Sequence, residues 1–164
     1  MKIYIIAAIS ADGFIARSKD ELINWTSPED KKFFREMTKN SKVMVMGGNT
    51  FRTFKAPLPD RRTIVYSRNS IDNPEIEVTN LPPQDLVEKL RNEGVEELAI
   101  CGGSSIYGMF LQAGVITDVY LTIEPLLFGQ GINLLNSEVD VKLELNELKQ
   151  LNSNTLLAHY KVTN

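Results

Sequence analysis

Apolar runs alternate with glycine or proline stops along this chain, and the alternation predicts most of its elements. Residues 2–9, "KIYIIAAI", form an unbroken apolar run and predict a strand buried on both faces. Residues 10–24 carry Gly13 and several charges and predict a long loop. At 28–39 the apolar positions fall three and four apart, which predicts a helix. "KVMVMG" at 42–47 predicts a second buried strand that Gly47-Gly48 turns into a short helix, and the proline-bounded loop 57–62 precedes a strand over "TIVYS". A short strand near 76–79, a helix at 84–93, a strand in "ELAICGG" and a helix at 104–113 follow. "VYLTIEPLL" predicts another strand, and the tail at 141–162 predicts two antiparallel strands joined at "NSN". Apolar strands alternating with helices imply an α/β fold with a mainly parallel sheet covered on both faces. Ligands then bind beyond the carboxyl ends of the strands.

The start of the first helix, "NWTSPEDKKFF" at 24–34, raises a question about two acids. Ser27 suits an N-cap, Pro28 the first helical position, and Asp30 the third position of a capping box. Acids in a first turn also complement the helix dipole. Yet Phe33, Phe34 and Met37 stand three, four and seven positions after Asp30, which puts Asp30 on the apolar stripe. Glu29 turns instead toward Lys32 and Glu36. A carboxylate on an apolar face loses hydration, so its pKa rises, as proton delivery near neutral pH requires.

Composition narrows the possibilities. The 164 residues suffice for one domain, 1–164, with a real core. A net charge of −3 gives no basic field for nucleic acid, and no segment approaches the length of a membrane span. "MKIYIIAAISADG" resembles a short signal peptide, but a buried first strand explains it better. One cysteine and one histidine, Cys101 and His159, exclude an internal disulfide, a cysteine-rich metal site and a multi-histidine metal centre, and suit a reduced, cytoplasmic protein. "LLAHYKV" around His159 alternates like an edge or C-terminal strand, which favours a structural histidine.

Two strands end in glycines that open directly into helices, "VMVMGGNTF" and "LAICGGSSIYGMF". Absent side chains let a backbone approach a ligand closely, and helix starts favour phosphate. Thr50, Ser104 and Ser105 offer hydroxyl donors nearby. Neither turn matches GxGxxG or Walker A, so an ordinary dinucleotide fold or P-loop is excluded. After a third strand, "YSRN" places Ser67 and Arg68 at a strand end, where a guanidinium can hold a phosphate monoester.

In order and spacing, "IIAAISADGFIA", "WTSPEDKKFF", "MGGNTFRTFKAPLPDRRTIVYSRN", "CGGSSIYGMFL" and "VYLTIEPLL" resemble the dihydrofolate reductase family. The resemblance implies a central, mostly parallel sheet of about eight strands flanked by helices, with an antiparallel C-terminal hairpin. It implies NADPH-dependent reduction of dihydrofolate or a related pterin, with hydride passing to carbon 6 and a proton to nitrogen 5. On that model Asp30 binds the pterin and assists protonation, Trp25 orders a water, and Thr122 supports the carboxylate. Ile6 and Cys101 offer carbonyls to the pterin, Ala8 lines its site, Phe34 and Leu58 pack on the rings, and Arg61 pairs with the glutamate tail. The loop 13–24 covers the site. For the cofactor it implies Ala7, Ile15, Gly47, Gly48, Asn49 and Thr50, with Ser67 and Arg68. It adds Gly102, Gly103, Ser104, Ser105, Ile106 and Tyr107. It implies a monomer or homodimer.

Three features depart from the family pattern. Gly48 stands where the family has an arginine that favours the 2′-phosphate of NADPH, and Arg68 is the expected replacement. The covering loop "RSKDELIN" is slightly long and charged. "PLLFGQGINLL" resembles instead the related riboflavin-biosynthesis reductase domain. The chain therefore has a second reading, a reductase of a phosphoribosylamino-pyrimidine. A third, of another class, is a non-catalytic pterin or dinucleotide sensor, which would not need Asp30.

Overall fold

The computed structural model describes residues 1–54 and 56–163. The sheet is built around β1 (Lys2–Ser10), whose apolar run is flanked by parallel neighbours on either side. The other strands of the sheet are β3 (Val43–Gly47), β4 (Arg62–Tyr66), β5 (Ile76–Thr79), β6 (Glu97–Ile100), β7 (Asp118–Glu124), β9 (Lys142–Gln150) and β10 (Leu156–Thr163). Their order across the sheet is β5-β4-β3-β6-β1-β7-β10-β9. The first six of these run parallel, and β10 and β9 close the sheet as an antiparallel hairpin. This is the eight-stranded architecture expected from the sequence.

Alternate residues of the central strands feed two cores, as a two-sided parallel sheet demands. Ile3, Ile5, Val45 and Ile64 face α3 (Pro83–Asn92) and α4 (Ser104–Gln112), where they meet Leu86, Leu90 and Phe110. Tyr4, Ile6, Met44, Met46 and Val65 face the other way, toward Phe33, Phe34 and Met37 of α1 (Pro28–Ser41). The short α2 (Gly48–Thr53) continues directly from β3.

Two details differ from the expected elements. The loop at 10–24 contains a strand, β2 (Phe14–Ala16), paired antiparallel with β8 (Ile132–Asn133) in a separate two-stranded sheet. Neither run is long enough to show a period, and the pairing joins residues more than a hundred positions apart. Gly131 permits the approach, since a Cβ there would lie 2.4 Å from the Ala16 carbonyl oxygen. The strand expected to run to Leu127 ends at Glu124, where Pro125 cannot continue the ladder. His159 stands on the C-terminal strand, as expected; β10 lies inside the sheet between β7 and β9, and the imidazole bridges Asp118 (2.7 Å) and Asn146 (2.9 Å). No helix among the described residues is long and apolar enough to cross a membrane.

Candidate active site

The two glycine corners form one site because β3 and β6 are neighbours. The Gly47 N–H donates to the Gly102 carbonyl at 2.7 Å. A Cβ on Gly47 would come within 3.1 Å of Ile106, one on Gly102 within 3.1 Å of the Tyr107 hydroxyl, and one on Gly103 within 3.3 Å of the Thr50 hydroxyl. A Cβ would be crowded at these three positions, and at Gly102 and Gly103 bare backbone lines the cleft beyond the strand ends. That suits a ligand that must lie against main chain, as a dinucleotide does.

The cleft is largely apolar and holds about 300 Å³. Its floor is Ile6, Ala7 and Ala8 of β1 together with Cys101, Gly102 and Gly103, and Phe34 and Leu58 stand on one side. Asp30 reaches it from the first turn of α1 and is only 8% exposed. Burial holds the Asp30 carboxyl above its ordinary pKa. The Thr122 and Thr26 hydroxyls and, more weakly, Lys31 pull it down, and Glu124 reinforces the rise.

The helix start explains why Asp30 is free to face the cleft. Ser27 caps α1 by accepting the Asp30 N–H at 3.2 Å, as expected. The reciprocal bond of a capping box does not come from Asp30. The Ser27 N–H donates instead to the buried Glu124 carboxylate at 2.7 Å, and Glu124 also accepts from the Thr155 hydroxyl at 3.0 Å. Capping and cleft chemistry are thus divided between two acids. Glu29 takes neither part: it is exposed and accepts a hydrogen bond from Asn152 at 3.0 Å, which lowers its pKa.

Trp25 also lines the cleft, and the segment that departs from the family pattern holds it there. Phe128 packs edge-on to Trp25 at 5.0 Å and stacks with Phe14 at 6.5 Å. The Arg17 guanidinium lies 3.9 Å above the Phe128 ring. Asp12 anchors the turn by accepting the N–H groups of Phe128 (3.1 Å) and Gly129 (2.7 Å). Residues 125–131 are therefore a buttress for the covering loop.

A family model described as dihydrofolate reductase matches residues 2–124. The chain belongs to the dihydrofolate reductase family. A type A13 dihydrofolate reductase from Escherichia coli is 34% identical over 143 residues, which covers 85% of this chain and 84% of that protein. Among solved structures, a Shewanella sp. PV-4 protein superposes with a TM-score of 0.85 at 21% identity, over the whole of both chains. RibD of Acinetobacter baumannii gives 0.84 at 16% identity, and 99% of this chain spans 58% of that one. Family membership makes the protein an oxidoreductase of the dihydrofolate reductase type.

Within this family frame, not every expected site residue lies in the cleft. Asp30, Trp25, Ile6, Ala8, Phe34, Leu58 and Cys101 line it, as do Ala7, Ile15, Thr50, Gly102, Gly103 and Tyr107. The Ile6 carbonyl already accepts the Tyr107 hydroxyl at 2.9 Å. Thr122 is fully buried behind the wall, on β7 opposite Ala8. Ser104 donates to the Asn133 carbonyl and Ser105 accepts from Asn136, so both hydroxyls tie α4 to its neighbours. Arg61 is half-buried, and it donates to the Arg35 carbonyl at 2.9 Å rather than pairing with Asp60, which meets Lys39 at 3.3 Å. Around Gly48, Asn49 accepts from Arg52, and Ser67 closes on Asn69. Arg68 is exposed at the end of β4. The side-chain atoms nearest to where a Gly48 Cβ would be are the Ser67 hydroxyl, at 3.8 Å, and the Arg52 Nη1, at 3.9 Å.

Ile23, Thr26, Lys31, Arg35 and Phe54 also line the cleft and were not expected there. For two of them the signal was present. Lys31 and Arg35 are four apart, one position on from Asp30 and Phe34, and so form the adjoining helical stripe. Lys31, Arg35 and Arg61 have no carboxylate partner within ion-pair distance among the described residues. Among the described residues, the Arg61 Nε and the Trp25 Nε1 are buried without a hydrogen-bond partner.

Proposed function

We propose that this protein reduces 7,8-dihydrofolate to tetrahydrofolate. The observation that carries the reading is Asp30: a buried carboxyl on an apolar cleft wall, released from capping by Glu124 and, among the described residues, without a cationic partner at ion-pair distance. Such a group holds a proton more readily than an ordinary carboxyl and can both bind a flat heterocycle and direct a proton to its ring nitrogen. Trp25 Nε1, buried without a hydrogen-bond partner among the described residues, places a donor at the same wall, suited to ordering a water on that proton's path. Phe34 and Leu58 pack against the apolar body of the substrate. Arg61 holds a carboxylate of its tail with Lys31 and Arg35 beside it.

The bare corners at Gly47, Gly102 and Gly103, with Thr50 beside them, fit NADPH as cofactor. When bound, NADPH supplies the hydride. Arg52 and Arg68 are the guanidiniums beside Gly48 and at the neighbouring strand end that can face its 2′-phosphate.

One observation favours a second substrate. Lys31 and Arg35 at the cleft and Arg61 beside Arg35, none of them ion-paired among the described residues, suit a sugar phosphate as well as a glutamate tail, and RibD, named above as a structural neighbour, shares the fold. A single spectrophotometric assay separates the readings. Loss of NADPH absorbance with dihydrofolate, and not with the phosphoribosylamino-pyrimidine, is the expected result. Turnover of the pyrimidine alone would move the function to the riboflavin-type reaction. NADPH binding with turnover of neither would make the protein a sensor.

A further inference from the structure

The two edges of the main sheet are built differently. At one edge β5 has four residues, and Glu77 within it is held by Arg62 at 2.6 Å and Lys89 at 2.8 Å. Short, charge-pinned edges resist pairing with another chain. At the other edge β9 has nine residues without a proline, and every one of them is exposed. Leu143, Leu145 and Leu148 are 43%, 53% and 56% exposed.

The register shows that these leucines form one surface. Leu143 lies opposite Val162, Leu145 opposite Tyr160 and Leu148 opposite Ala158, with a bulge at Asn146 keeping all three on one face. Leu156 of β10, 38% exposed, continues that face toward Ile123 of β7. Lys142, Glu144, Glu147 and Lys149 point from the opposite face. A lone exposed leucine is ordinary, but an aligned row on an unpaired edge strand is an interaction surface.

We propose that two copies of this chain join across a two-fold axis through β9. The charge pattern selects the partner, because it is complementary to itself. Running one β9 antiparallel to another, with Leu145 of one copy opposite Leu148 of the other, sets Glu144 opposite Lys149 twice over. Like-facing residues then meet along the strand. Shifting the register by two residues, to set Leu143 opposite Leu148, brings Glu144 against Glu147 and Lys142 against Lys149, which like-charge repulsion disfavours. An isologous contact requires this kind of self-complementarity. The pairing gives the open edge a hydrogen-bonding partner and sets the leucine rows of the two copies side by side.

The test is solution mass by light scattering at micromolar concentration, with circular dichroism to confirm folding. The wild type should have twice the chain mass. Glu144→Lys and Lys149→Glu should each give a folded monomer, and the double exchange should restore the dimer. Leu145→Asp, at an exposed position, should also give a folded monomer. A monomeric wild type would leave the face to some other partner and overturn the proposal. A dimer indifferent to the single charge reversals, or a double exchange that fails to restore it, would overturn it as well.

Discussion

Asp30 and Asp118 are both buried aspartates, 8% and 1% exposed, yet their surroundings push them in opposite directions. Asp118 begins β7 and accepts from Lys161 (2.6 Å), the Thr117 hydroxyl (2.7 Å) and His159 Nε2 (2.7 Å). Burial alone would raise its pKa, but these three partners outweigh it and hold the carboxyl below its ordinary value. Asp30 has two hydroxyls nearby and, among the described residues, no cation within ion-pair distance, so burial prevails and its pKa rises. A buried acid with its partners built in ties the fold together; one left without them at a cleft wall is available to something that enters the cleft. The two acids can be tested against each other.

The largest effect falls on turnover at Asp30. Asp30→Asn keeps the shape of the side chain and removes the proton, so kcat should fall by about 10²- to 10⁴-fold. The loss should deepen as pH rises and protonation of the substrate from solution becomes scarce. The same substitution should make the ligand-free protein more stable at neutral pH. Because the folded pKa lies above 3.8, ionisation costs stability as pH climbs through that region, and asparagine removes the cost. Unfolding midpoints measured from acid to neutral pH should therefore converge at the acid end and separate toward neutrality. An Asp30→Asn protein with unchanged turnover would place the chemistry elsewhere.

Asp118→Asn should reverse this pattern, costing about 2 kcal/mol of stability at neutral pH through weakened charge-assisted bonds while sparing kcat. The sign follows from the lowered pKa. The Asp118 contribution is fully present above 3.8 and is lost as pH falls through the lower folded value. Acid unfolding of the variant should thus be shallower than that of the wild type. Chemical denaturation at a series of pH values reads this directly.

Glu124 links the two kinds of acid. Glu124→Gln retains an acceptor for Ser27 or Thr155 but loses the charge that serves both. The expected cost is about 1 kcal/mol, of the size of a lost helix cap. With the start of α1 less firmly held, KM should rise more than kcat falls. Equal effects on both would mean that Glu124 acts on Asp30 through charge alone.

How far these roles were legible in the sequence depends on distance along the chain. Helical spacing put Asp30 on the apolar stripe, and glycine placement marked both corners, because each signal is local. The parallel strands with their flanking helices were readable for the same reason. Ser27 and Asp30 fit a capping box, but nothing local says that Glu124, ninety-seven positions from Ser27, supplies the returning acceptor. The β2–β8 pairing, the buttress of Phe128 on Trp25 and the use of Ser104 by Asn133 are likewise contacts between distant segments. Lys31 and Arg35 are a different matter. Their spacing was visible, and the apolar stripe beside them drew attention away from it.

Lys31 offers the smallest and sharpest probe of the contrast, because it is the cation that most nearly turns Asp30 into a second Asp118. Its charge lowers the Asp30 pKa only weakly, and its side chain is half-buried at the cleft. Lys31→Leu should therefore raise the Asp30 pKa slightly further, since a weak, partly screened attraction is removed. The descending limb of the pH–rate profile should move upward by the same amount. Binding of an anionic substrate should weaken separately, since that depends on the cation meeting the ligand's tail. The two effects part when the substrate tail is removed: the pH shift should persist and the binding penalty vanish. If both vanish together, Lys31 serves only the tail, and the isolation of Asp30 owes nothing to its charge.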